Sequence, residues 1–250
     1  MKVLGSIMGL CLAVGVAGSL SAAPNVSYEF TTGGLAGLST PIASDDFLNG
    51  KIGTVEGGGF HPVSDNSIPG LTDGFPGSGL SSILADFSNP SLVISYTFDS
   101  PVDLWEIRVF AQNNDERVFQ TYDVEIYKTG DLDYGFLVQD VTTGPFATTW
   151  AAAGSPNASM TRVWGDASGY LAQNVEAIRF TFFDVGNTGN FYVDPWSPGH
   201  PRDTDGYTAA IVGTLVKEID VVLVPEPASL AAMAMGLFGF GAATLRRNRK

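Results

Sequence analysis

The sequence predicts an all-β protein, an antiparallel β-sandwich with an N-terminal signal helix before it and a C-terminal transmembrane helix after it. Three observations carry this. No stretch between residues 24 and 223 sustains helical periodicity for three turns. Short apolar runs recur there, separated by Gly, Pro, Asn and Asp. The connections between them are mostly too short to hold a crossover helix, so neighbouring strands run antiparallel.

The elements follow in order. Segments 27–30 and 51–55 are candidate edge strands in a region made loop-rich by Gly33-Gly34, Gly57-Gly58-Gly59 and the glycines of 74–79. The clearest strand is 91–98 (SLVISYTF), where Leu92, Ile94, Tyr96 and Phe98 alternate with Val93, Ser95 and Thr97. That is the period of a strand with one buried face. Asp99-Ser100-Pro101 should break it from 104–112 (LWEIRVFAQ), and Asn113-Asn114-Asp115 should turn the chain into 119–127 (FQTYDVEIY). Trp105 shares a face with Ile107 and Val109 and is expected in the core. Strands at 136–141, 177–183 (AIRFTFF) and 216–224 complete the body. No linker divides it, so three regions are expected. Residues 1–23 form a signal peptide and 24–223 one β-sandwich domain, loop-rich over 24–80 with the main strands in 81–223. Residues 224–250 form a tail.

Both ends read as targeting segments. Lys2 precedes the apolar run 3–17, and Ser19-Leu20-Ser21-Ala22-Ala23 offers small residues for cleavage after Ser21 or Ala23. At the other end, Val224-Pro225-Glu226-Pro227 leads into 18 uncharged residues, 228–245, then Arg246, Arg247, Asn248, Arg249 and Lys250. Eighteen helical residues span about 27 Å, close to the hydrocarbon thickness of a bilayer. The prolines suit the first turn of that helix. Arg246, Arg247, Arg249 and Lys250 should stop transfer on the cytoplasmic side, leaving the body outside.

Charge narrows the partners. The chain has 13 basic and 26 acidic residues, and 8 against 25 between residues 24 and 225. An anionic body of this kind repels phosphate backbones, so nucleic acid is excluded as a sequence-independent partner. The one cysteine, Cys11, lies in the N-terminal run, which leaves the body without thiol chemistry.

The Pro-Glu-Pro signature, single span and arginine-rich end resemble the PEP-CTERM sorting signal of exported bacterial proteins. That resemblance implies recognition through Pro225, Glu226 and Pro227 by exosortase, cleavage near them, and release of a mature protein without a membrane helix to the cell surface or extracellular matrix. The body resembles, in pattern only, a discoidin-type, galactose-binding-like jelly roll. The residues concerned are SLVISYTFDSPVDLWEIRVFAQN, DERVFQTYDVEIY, VEAIRFTFFD and LVKEIDVV. Such folds bind sugars, lipids or proteins through loops at one end, and many hold a structural calcium.

Catalytic signals are few, and no catalytic residue is assigned. His61 and His200 each stand beside a proline, without metal-ligand spacing, and no G-x-S-x-G elbow occurs. Calcium suits an acidic exported chain better, with Asp203 and Asp205 as the first candidate ligands and Asp45, Asp46, Asp65 and Asp73 as further ones. Tyr192, Trp196 and Arg202, in the segment 186–207, supply flat and charged groups suited to a sugar. The expected function is therefore a non-enzymatic, exported surface or matrix protein that binds carbohydrate or extracellular polysaccharide. A secreted carbohydrate-active hydrolase and a purely structural matrix protein are the alternatives.

Overall fold

A computed structural model describes residues 23–62, 64, 68–74, 92–112, 117–142, 157–165, 169–183, 199, 201 and 213–225. The signal segment 1–22 and the tail from Glu226 lie outside these, with the stop-transfer residues Arg246, Arg247, Arg249 and Lys250. So do Tyr192, Trp196, Arg202, Asp203 and Asp205. Among the described residues no helix is long and apolar enough to cross a membrane.

Among the described residues, eight strands form one antiparallel sheet: β1 Asn25–Thr31, β2 Thr54–Gly58, β3 Leu92–Gln112, β4 Thr121–Lys128, β5 Gly135–Thr142, β6 Ala158–Trp164, β7 Ala172–Phe183 and β8 Val216–Leu223. The strand order β1-β6-β3-β7-β4-β5 is extended by β2 and β8, which both pair with β3. The first half of β3 pairs with β2 and β7, and the second half with β6 and β8. The sheet therefore curls about β3, barrel-like, and its two walls enclose one core. Leu92, Ile94, Tyr96 and Phe98 from one half meet Ile107 and Val109 from the other, with Val163, Phe180, Phe182, Ile219 and Val221.

Two local expectations are corrected. The break expected at Asp99-Ser100-Pro101 is a bend inside one 21-residue strand. The pairing with β7 jumps between Thr97 and Val102, so the exposed Pro101 owes no ladder donor there. Trp105 is not a core residue: it is 40% exposed, because the alternation of β3 slips between Leu104 and Glu106 and the fully buried Leu104 takes the core side instead. Its ring lies on Gly169, whose φ is +81° and where an added Cβ would stand 2.6 Å from the indole. Strand β6 had no expectation, although it is inserted between β1 and β3.

The registers gather the start of β1 and the end of β8 at one end of the sheet. Asn25 faces Trp164, Trp164 faces Glu106, and Leu104 faces both Ala172 and Leu223. The β4–β5 turn joins the same end, since Lys128 faces Val175. Phe183 and Gly213, which anchor the segment containing 186–207, lie at the opposite end, as Phe183 faces Thr121 and Val216 faces Ala111.

Candidate cation site and neighbouring pocket

Strand β8 alternates. Ile219 and Val221 enter the core, and Glu218 and Asp220 occupy the other face. The chain at 43–50 lies along β8 and covers that face. The Phe47 amide donates to the Val221 carbonyl (2.8 Å), and the Val221 amide donates to Asp46 Oδ1 (2.6 Å). The Leu48 amide also donates to Asp46 Oδ1 (3.0 Å), while the Ala43 amide donates to Asp220 Oδ2 (2.6 Å). Segment 68–74 is tied to the same loop, because the Gly50 amide donates to the Thr72 carbonyl (2.6 Å) and Thr72 Oγ1 donates to the Lys51 carbonyl (2.6 Å).

These bonds bring carboxylate oxygens of Asp46, Glu218 and Asp220 within 4.8 Å of one another. Glu218 and Asp220 are fully buried. Among the described residues, Asp46 Oδ2, Asp220 Oδ1 and both Glu218 oxygens close no hydrogen bond of good geometry. The Gly74 amide approaches Glu218 and opposes its protonation only in part. Burial first, and then the Asp220 charge with those of Asp46 and Asp73, push the Glu218 carboxyl up to about 9. Burial likewise drives Asp220 up to about 7, with Asp46 and Glu106 adding to it and the Ala43 amide and Arg108 opposing. Asp46 is also raised, chiefly by burial. Each pair of full charges at this spacing would repel by about 3–4 kcal/mol at an effective dielectric near 20. The site therefore takes up protons or a cation.

Calcium fits the donor set. It accepts six to eight hard oxygens at about 2.3–2.6 Å, so oxygens facing each other across it stand at most about 5 Å apart. Three carboxylates, each with an oxygen within 4.8 Å of the others, match one such sphere. Of the acidic residues singled out from sequence, Asp46 is in the cluster and Asp73 adds its charge to Glu218. Asp65, Asp203 and Asp205 lie outside the described residues. Glu218 and Asp220 were missed because alternation in KEID reads as a solvent face, and nothing local in the sequence shows that 43–50 covers it.

A second carboxylate on the outer side of β3 contrasts with these. Glu106, 1% exposed, accepts from Arg162 Nη2 at 2.7 Å and from Arg108 Nε. Burial alone would raise its carboxyl, but the two guanidinium groups outweigh burial and hold it below the usual range.

An open pocket of about 530 Å³ lies at the β3 bend and is lined by Phe98, Asp99, Pro101, Tyr127, Tyr134 and Glu176, among others. The two tyrosine rings stand 6.0 Å apart, and the Arg179 guanidinium lies 4.1 Å from the Tyr134 ring centroid. Thr129 Oγ1 donates to Glu176 Oε1 at 2.7 Å. Phe98 meets Phe47 edge to face at 5.1 Å, which joins the pocket to the residue after Asp46.

Beyond the pocket the sheet hands over to the tail. The Val224 amide donates to the Asp103 carbonyl (2.9 Å), and Pro225 is exposed. Residues 223–247 match the family model of the PEP-CTERM protein-sorting motif. The tail is a PEP-CTERM sorting signal. It marks the chain as an exported, membrane-anchored precursor processed by exosortase at the cell surface. Among curated proteins, none matches this chain.

Proposed function

We propose that the PEP-CTERM precursor delivers a non-enzymatic, calcium-clamped β-sandwich that binds extracellular polysaccharide once exosortase has released it. The observation that carries the binding reading is the pocket, which sets Tyr127 and Tyr134 beside Asp99 and Glu176. Sugar rings offer apolar faces to aromatic rings and hydroxyl rims to carboxylates, so this lining suits a saccharide unit. The clamp supports a non-enzymatic role. The most perturbed carboxylates, Glu218 and Asp220, are sealed under 43–50 instead of lining the cleft.

Affinity electrophoresis of the mature body through the host's own polysaccharide tests the reading. Retardation that is lost in Tyr134→Ala supports it, and unchanged mobility of both forms sinks it. The presence of Asp99 and Glu176 in one pocket favours a second reading, a carbohydrate-active hydrolase. Reducing ends released by the wild type but not by Glu176→Gln would establish that reading instead. Self-association without any glycan retardation would point to a purely structural matrix component.

A further inference from the structure

We propose that, before exosortase acts, the end of the sheet bearing Trp105, Tyr170 and Leu132 rests in the lipid headgroup layer around the precursor's own span. The inference rests on the anchored-precursor reading and adds where the folded body sits. The last described backbone bond of β8 is Val224 to Asp103, and the uncharged span begins at Ala228. Four chain steps cover at most about 14 Å fully extended. The headgroup zone on each side of the hydrocarbon is about 5–8 Å deep. The body therefore has at most about 6–9 Å of slack, and its Asp103 end stays against the membrane surface.

The side chains at that end suit the location. Trp105 and Tyr170 are 40% and 38% exposed, and Leu132, in the β4–β5 turn, is fully exposed. Trp and Tyr concentrate where one edge of the ring is apolar and the other wet, as at a membrane interface. Trp105 is held for this by Gly169, which leaves room beneath the indole. The same end carries Asp99, Asp131 and Asp133, all exposed. Their charge favours a zwitterionic surface over an anionic one.

The test uses the signal-processed precursor in phosphatidylcholine nanodiscs with a headgroup nitroxide quencher. The body has no cysteine, so Tyr170→Cys and Thr142→Cys each give one labelling site, and Thr142 lies at the opposite end facing Thr121. The fluorophore at 170 should be quenched several-fold more than that at 142. Equal quenching, or none at 170, overturns the proposal. Hydrogen exchange on the unsubstituted chain gives a second measurement. Amides in 99–105 and 169–172 should exchange at least threefold more slowly in the precursor than in the exosortase-cleaved product, and identical rates would refute docking. A precursor that enters nanodiscs but shows neither effect defeats this inference alone. One that never enters them defeats the anchored reading as well.

Discussion

Glu218 shows how one side chain sets the solution behaviour of the site. Its carboxyl titrates near 9 in the folded, cation-free state and near 4.5 when unfolded, and Asp220 behaves alike between 3.8 and about 7. Raised acids give full stability only at low pH. As pH rises past the unfolded values, the unfolded chain ionises first and stability falls by up to about 1.4 kcal/mol per pH unit per group. In EDTA the body should therefore resist urea better at pH 5.5 than at pH 8.5. With excess calcium the order reverses, because the ligands must be deprotonated to bind. Flanking charges of Asp46, Asp73, Glu106 and Arg108 are included in that balance. Glu218→Gln should stabilise the EDTA form at pH 7 by about 2 kcal/mol and abolish the further gain on adding calcium, read from urea midpoints. Glu106 works in the opposite sense. Its lowered carboxyl contributes stability above about pH 4.5 that is lost as the medium becomes more acid. Glu106→Ala strands two guanidinium groups, both partly solvated, and should cost about 2 kcal/mol in the same assay.

At the scale of elements, the loop 43–50 and the bend of β3 matter most. The loop is bonded to β8 through Asp46, Phe47 and Ala43, and Phe47 touches the pocket residue Phe98. Chelation should therefore speed hydrogen exchange in 43–50 and weaken glycan retention together. Retention unchanged by EDTA would separate clamp from pocket. Gly169→Ala should unseat Trp105, shift its emission to the red and lower stability by about 1–2 kcal/mol, because both the left-handed φ and the 2.6 Å approach oppose a Cβ. Elements with strong alternation were legible in advance: 91–98 and 104–112 correspond to β3, which begins at Leu92, 119–127 to β4, which begins at Thr121, and 177–183 lies within β7. Strand β6 was not, since ASMTRVW shows no apolar alternation: Val163 joins the main core, Ala158 and Met160 join a smaller cluster with Phe110, and its small residues are buried between β1 and β3. The cation site was half legible. Asp46 stands out in a polar loop, but its partners come from a strand more than 170 residues further along the chain. Trp105 was misplaced because the alternation slips between Leu104 and Glu106, a shift that nothing local in the sequence marks.

Taken whole, the molecule places the pocket and the sorting motif at one end of the sheet. The sorting motif leaves beside Asp103, and the segment 184–212 joins the sheet at the other end through Phe183 and Gly213. Glu226→Ala should leave the body folded but accumulate a longer, membrane-bound form on immunoblots of an exosortase-positive host. Mobility unaffected by either the substitution or loss of exosortase would contradict the processing route. The placement of β8 has a mechanical consequence. It is flanked by seven paired positions of β3 on one edge and by the 43–50 loop on the other, and the tail prolongs it directly. A body tethered through that tail and dragged by flow from its far end is pulled lengthwise along β8. Its rungs then share the load in shear and do not peel one by one. Traction on the C-terminus in an optical trap should meet a single high rupture force, lowered when calcium is withdrawn.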